Sequence, residues 1–383
     1  MKPTARSNNR LWPDADSGHI IKKPPTTCRP NHWHKTNREK ELTVNHQTTL
    51  QQIIDDMVDT HRGILAADES HPTMAKRFQP IGVEPSEETR RIWRSLLVTT
   101  PGLGQYISGI ILFEETLMQK SDDGLLIPEA AWAQNIVPGI KVDKGKVPLA
   151  LSPGDLITQG LDGLAERLQT YQKQGARFAK WREVYTIETH APSRHGIKAN
   201  AEMLARYAAA CQAEGIVPIV EPEVLMDGSH DIERHADVTE RVLHAVFHAL
   251  HQHGVRLEWM LLKPNMVLPG KECRRAEPEE VAAATLTALR RTVPAAVPSI
   301  NFLSGGQSPE EATANLNAIN QQRGNAPWQL SISYGRALQQ SALQAWNGKI
   351  ENLPAARQAL LKRARLNSLA RAGKYAAAME REA

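Results

Sequence analysis

Residues 257–265 read LEWMLLKPN, an apolar run suited to a buried strand and closed by a lysine at position 263. A buried charge without a partner is costly, and the usual relief is an altered pKa. Seven other runs share this design of apolar residues followed by a polar or glycine-containing end. They are GILAAD (63–68), YISGIILF (106–113), VPGIKVD (137–143), ARFAKW (176–181), GIVPIVEP (215–222), AVPSINFL (296–303) and WQLSISYG (328–335). Near-continuous apolarity is what a strand covered on both faces requires. Helical stretches lie between the runs. SEETRRIWRSLL opens on a serine cap, IKANAEMLARYAAACQAEG and DVTERVLHAVFHALHQHG end on glycine stops, and SPEEATANLNAIN carries glutamates in its first turn. Eight strand-then-helix units in succession predict an α/β fold with a single (β/α)8 TIM barrel. An open doubly wound sheet is the alternative, disfavoured because no GxGxxG follows the first strand.

The 383 residues fall into three expected parts: a disordered basic leader (1–45), a barrel catalytic domain (46–352) and a C-terminal helix and tail packed on the barrel (353–383). The leader holds nine Lys/Arg against four Asp/Glu and five prolines, so the overall net charge of +4 leaves the rest of the chain near −1. It has no apolar signal core, and its acidic residues and Pro24-Pro25 argue against a transit peptide. His32, His34 and Cys28 within it read as an incidental cluster. The final segment, GKYAAAMEREA, reads as a frayed end. Basic residues form no run with interleaved aromatics, so no nucleic-acid partner is expected. No apolar run approaches membrane-spanning length, and no membrane partner is expected. Three widely spaced cysteines (Cys28, Cys211, Cys273) fit a reducing, cytoplasmic setting.

In a barrel of this kind chemistry sits at the C-terminal ends of the strands. Here those ends carry Asp68-Glu69, Glu114-Glu115, Lys141 and Asp143, Lys180 and Arg182, Glu221 and Glu223, Lys263, Ser304-Gly305-Gly306, and Gly335-Arg336. Singly each has a plain structural explanation, Lys180 as a snorkelling lysine or Glu221 as half of an ion pair. Together they line one polar pocket. Its cations suit an anionic substrate, and the glycine turns LSGGQS (303–308) and SYGRA (333–337) follow the last two strands, the usual phosphate position of the fold. LSGGQ also matches an ABC-ATPase signature, but that reading needs a GxxxxGK[ST] loop, which is absent. With Lys180 across the barrel, like charge and burial are expected to lower an amine pKa and free a nucleophile. A neutral amine condenses with a ketone to an iminium, an electron sink for cleavage of a neighbouring C–C bond. Glu221 is the candidate for the associated proton transfers, and Asp68 or Glu69 for taking the proton from the substrate hydroxyl.

The segments ILAADES, ILFEETL, GIKVDKG, FAKWR, IVPIVEPE, LLKPNM, FLSGGQS and SYGRAL closely resemble, in order and spacing, the class I fructose-bisphosphate aldolases, over residues 48–375. The resemblance implies reversible cleavage of fructose 1,6-bisphosphate into dihydroxyacetone phosphate and glyceraldehyde 3-phosphate through a lysine Schiff base, in glycolysis and gluconeogenesis. It implies a homotetramer with no metal and no cofactor. By the same resemblance Lys263 is the Schiff-base lysine, Asp68 the acid/base at the scissile bond and Glu221 the acid/base of iminium formation, with Glu223 its neighbour. Lys141 and Lys180 match active-site lysines, with Arg182 beside them. Ser304, Gly305, Gly335 and Arg336 match one phosphate site, and Ser70, Lys76 and Arg77 match residues at the other end of the sugar.

The chain departs from the animal members in reading HPTMAKR after AADES, in ending on MEREA without a terminal tyrosine, and in its leader. Two further readings are tested by the same residues. A non-catalytic scaffold would be favoured by loss of Lys263, Glu221 or Asp68, and all three are present. A metal-dependent lyase is prompted by His244, His248 and His251, which read instead as a polar helix face.

Overall fold

The computed structural model describes residues 49–59 and 61–381; the leader and its His32/His34 cluster lie outside these residues. Strands β1 (Gly63–Ala67), β2 (Ile107–Leu112), β3 (Val137–Lys141), β6 (Phe178–Tyr185), β7 (Val217–Val224), β8 (Leu261–Leu262), β9 (Ser299–Phe302) and β10 (Gln329–Tyr334) close into a barrel. The order around it is β1-β10-β9-β8-β7-β6-β3-β2, all pairs parallel. Because β1 pairs with both β2 and β10, the open-sheet alternative is excluded. An antiparallel hairpin, β4 (Lys146–Pro148) with β5 (Leu156–Thr158), is added between β3 and β6. Three-residue strands carry no readable period, so the sequence did not announce it.

The stretch LEWMLLK differs from its expected form. Leu257–Trp259 make a 3-10 turn and the strand proper is only Leu261–Leu262. The Gln212 amide donates to the carbonyls of Arg256 (2.8 Å) and Trp259 (3.1 Å), tying this turn to the helix Arg194–Ala213. Two residues of strand suffice to aim Lys263, whose backbone N–H donates to Val220 O at 2.8 Å.

Alternation along the strands separates two cores. Ile64, Ala66, Ile111, Val137, Phe178, Val217, Ile219 and Leu261 fill the barrel, and Leu50, Ile53, Ile54 and Met57 of α1 (residues 49–57) close it from below. The opposite strand faces pack on the surrounding helices in a larger cluster, where Trp93 stacks on Trp346 at 5.5 Å. The serine cap expected at Ser86 is formed, while the helices read from Ile197 and Asp237 start upstream, at Arg194 and Ile232. Ser86, Ser193, Asp231 and Ser308 each accept from a backbone N–H of the helix they open.

The C-terminal segment is tied down rather than frayed. In α11 (Leu353–Arg371) the Arg371 guanidinium donates to the carbonyls of Arg62 and Asp59. Past the Gly373 stop, Tyr375 donates to Glu380 at 2.9 Å, and Glu380 pairs with Arg363 at 2.7 Å. No described helix is long and apolar enough to cross a membrane.

Gly139 shows how tightly the barrel is filled. A Cβ at this position would lie 2.3 Å from the Phe178 ring. Gly139→Ala is therefore expected to cost about 2–3 kcal/mol through overpacking. Adding Phe178→Leu should recover part of the loss, with thermal-unfolding midpoints of the single and double variants as the measurement. A neutral single variant would contradict the packing argument.

Candidate active site

The strand-end residues named from the sequence, except Glu115, which pairs with Arg90 and His71, border a single cavity of ≈ 1240 Å³ at the C-terminal mouth of the barrel, as do Ser70, Lys76 and Arg77. Register explains the convergence. Pairing sets Lys180 beside Ile219, Arg182 beside Glu221 and Val184 beside Glu223, so alternate residues of β6 and β7 point inward together. Lys141 of β3 sits beside Lys180 on the other side. Lys263 follows β8, Ser304 follows β9, Gly335 follows β10 and Asp68 follows β1.

At the centre two lysines share one carboxylate. Glu221 forms ion pairs with Lys263 (3.2 Å, through Oε1) and Lys180 (3.2 Å, through Oε2). Lys180 also meets Asp68 at 2.8 Å and Asp143 at 3.8 Å, while Lys141 pairs with Asp143 at 2.6 Å. Lys180, Lys263 and Glu221 are each no more than 4% exposed. At that depth the unpaired charges would be intolerable, so three ammoniums matched by three carboxylates is the condition for burying any of them. Arg182 meets Glu223 at 2.5 Å toward the rim.

The carboxylates around Lys180 decide its charge state. Burial does press the Lys180 ammonium downward, but Asp68, Glu221 and Asp143 outweigh it and hold Lys180 well above the ordinary lysine value. Lys180 is a fixed cation. Asp68 shows the converse: burial raises its carboxyl, but Lys180, Lys263 and Lys141 pull it far below the usual range. The sequence could place the second lysine; it could not weigh three carboxylates against burial.

The neighbouring acids separate cleanly. Glu69 accepts from Arg94 (2.6 Å), Arg77 and the Gln339 amide (2.9 Å), and is a fastening for β1 rather than a rival to Asp68. Arg77 is thereby drawn toward the last strand, its Nη2 being 3.4 Å from the point a Cβ on Gly335 would occupy. Ser70 and Thr73 hydroxyls lie 3.1 Å apart, and both residues border the cavity with Lys76. His71 is occupied by Glu115 at 3.3 Å and stands edge-on to Phe113.

Gly305 and Gly306 have φ of 52° and 95°, in the left-handed region that glycine adopts without steric cost. Arg336 projects from the start of α10 (Arg336–Trp346) into the same corner. His244, His248 and His251 are exposed on α7 (Ile232–Gln252). Among the described residues no group of three or more His, Cys, Asp or Glu could hold a metal ion.

Three features escaped the sequence reading. Asp143 was legible only as a strand end, without its two lysine partners. Lys144, Asp227 and Lys271 come to the cavity from loops and Lys146 from the short hairpin, segments that no period singles out. Glu183 lies on the outward face of β6, fully buried, accepting from Trp181 Nε1 (2.8 Å) and the Thr158 N–H (3.1 Å). A glutamate at an outward position of a covered strand was the available signal.

A barrel with a buried lysine among carboxylates and glycine turns at its mouth is a setting for lysine-imine chemistry on carbonyl compounds. Comparison with known proteins gives the family. Residues 49–383 match the family described as fructose-bisphosphate aldolase class-I. Fructose-bisphosphate aldolase 4, cytosolic, of Arabidopsis thaliana is 59% identical over 82% of this chain and 80% of its own length. The fructose-bisphosphate aldolase of Drosophila melanogaster is 56% identical over 86% and 92%. A solved structure of the Plasmodium falciparum aldolase, in complex with TRAP and a small-molecule inhibitor, superposes with a TM-score of 0.84 at 52% identity, covering 88% and 96%. The chain belongs to the class I fructose-bisphosphate aldolases, carbon–carbon lyases of the Schiff-base type.

Glu183 supplies a pH test of the barrel wall. Burial pushes its carboxyl up to about 7 despite the donors on it. Its folded pKa lies above the ordinary glutamate value of 4.5, so between these values the folded protein keeps a proton the unfolded chain has lost. Stability therefore falls as pH rises through that window. Relative to Glu183→Gln, which cannot titrate, the parent should lose up to about 3 kcal/mol between about pH 4 and 8. Denaturant unfolding at several pH values measures this; a pH-independent difference would refute it.

Proposed function

We propose that Lys263 forms the imine with the C2 ketone of fructose 1,6-bisphosphate and that Glu221 carries the protons this requires. The observation behind the reading is the shared carboxylate, 3.2 Å from Lys263 and 3.2 Å from the fixed cation Lys180. Lys263 passes its proton to Glu221 and attacks as the neutral amine, since an ammonium has no lone pair. Glu221 then protonates the departing hydroxyl of the carbinolamine, giving the iminium. Asp68, ionised at rest, takes the proton from the C4 hydroxyl. The C3–C4 bond breaks, its electron pair moves into the iminium to form the enamine, and glyceraldehyde 3-phosphate leaves. Protonation at C3 and hydrolysis return dihydroxyacetone phosphate and the free lysine.

Lys180 holds Asp68 and Glu221 in register as their charges change, and Glu223 anchors Arg182 at the rim. Ser304, Gly305, Gly335 and Arg336 hold the C1 phosphate. Lys141, Ser70 and Lys76 face the other end of the sugar, with Arg77 between the two through its contact with Glu69. No metal or cofactor takes part in this sequence of steps. We further read the chain as a cytoplasmic homotetramer. Family membership supports this, as does the cytosolic description of the Arabidopsis relative. Analytical ultracentrifugation is the measurement for the assembly.

Borohydride reduction with dihydroxyacetone phosphate, in the presence of EDTA, should leave one adduct on the peptide bearing Lys263. Lys263→Arg should abolish that adduct and lower kcat by at least about 10³-fold, because a guanidinium stays protonated and cannot condense. An adduct on another lysine would overturn the assignment. Arg336→Ala should raise KM for fructose 1,6-bisphosphate roughly tenfold or more, as expected for a lost charge-assisted contact. An unchanged KM would remove Arg336 from the phosphate site.

A further inference from the structure

We infer that Lys271 is an additional phosphate-binding residue, exchanging its resting partner Asp227 for the phosphate held at the Gly305–Gly306 turn. The inference rests on the reading that this turn and Arg336 take the C1 phosphate of the ketose.

The segment LPGKE (268–272) lies in the loop after β8, downstream of Lys263, where the strand pattern marks nothing. Its backbone is pinned to the loop after β7. Lys271 N–H donates to Met226 O (2.8 Å), Gly270 N–H to His230 O (2.8 Å) and Glu272 N–H to Gly228 O (3.2 Å). This fastening fixes the Lys271 Cα at the rim while the four-carbon stem stays free to reach. The stem crosses the glycine turn. A Cβ on Gly306 would lie 3.3 Å from Lys271 Cε and 3.6 Å from Arg336 Nη2, so the two cations flank one glycine from different strands' loops. Both residues border the cavity.

At rest Lys271 Nζ meets Asp227 Oδ1 at 2.6 Å, with the side chains 45% and 56% exposed. An ion pair that open to water is weak, since solvent and salt screen it. A phosphate dianion already held by backbone N–H groups and Arg336 is the stronger anion for the same ammonium. Asp227 thus keeps Lys271 near the turn without locking it there. The ligand class is a phosphate monoester on a small ketose or triose, and the consequence is discrimination between phosphorylated and unphosphorylated carbonyl compounds.

The test compares borohydride trapping at Lys263 with dihydroxyacetone phosphate and with unphosphorylated dihydroxyacetone, in the full-length parent, Lys271→Met and Lys271→Arg. In the parent, the ratio of half-saturating concentrations gives the phosphate preference. Lys271→Met should reduce that preference about tenfold, and Lys271→Arg should retain most of it. A purely structural role for the loop would shift both ligands alike, and that outcome would overturn the inference. So would a preference in Lys271→Met equal to the parent's. Failure of the parent to form the Lys263 adduct would instead strike at the imine assignment, and the parent control separates the two failures.

Discussion

Glu221 divides its two oxygens between Lys263 and Lys180, and much of the site depends on that division. Without it, two ammoniums would face each other inside a barrel with almost no solvent to screen them. With it, each lysine is compensated, yet the compensation of Lys263 runs through a group able to accept its proton. A carboxylate given wholly to Lys263 would stabilise the ammonium. One shared with a permanent cation can become neutral without leaving Lys180 alone, because Asp68 and Asp143 also attend it. Asp143 in turn holds Lys141, so one continuous set of charges spans β1, β3, β6, β7 and β8.

The barrel supplies what such a set requires, which is fixed spacing among groups far apart in sequence. Strand registers differing by whole residue pairs put Lys180, Arg182, Glu221 and Glu223 on the inward face, and the alternate residues Trp181 and Glu183 on the helix-covered face. The floor is rigid for the same reason. Phe178 occupies the space left by Gly139, and α1 closes the lower end with four apolar side chains. The mouth is less constrained. There the β4–β5 hairpin and the loops after β7 and β8 bring Lys146, Asp227 and Lys271, and the pair between the last two is exposed.

Much of this was legible before any coordinates. Apolar runs ending in charge located the eight barrel strands, although LEWMLLK proved to be a turn followed by a two-residue strand. The cap at Ser86 was visible because a capping side chain acts on the next few residues. The candidate site residues were visible because strand ends in this fold converge wherever the sequence places them. The short hairpin, the docking of residues 374–381 on Arg363 and the partners of Glu183 were not, since each depends on contacts between distant segments.

The sequence by itself determined the barrel, its strand order along the chain and the inventory of charges at its mouth. These follow from local periodicity, and periodicity is a property of neighbouring residues. Tertiary structure alone decided how those charges pair. That Asp68, Glu221 and Asp143 hold Lys180 as a cation, that Asp68 and not Glu69 faces it, and that Lys271 shares a glycine with Arg336 are matters of distances across the barrel. Electrostatic energy inside a protein depends on such separations and on burial together. Neither is written in the order of the residues.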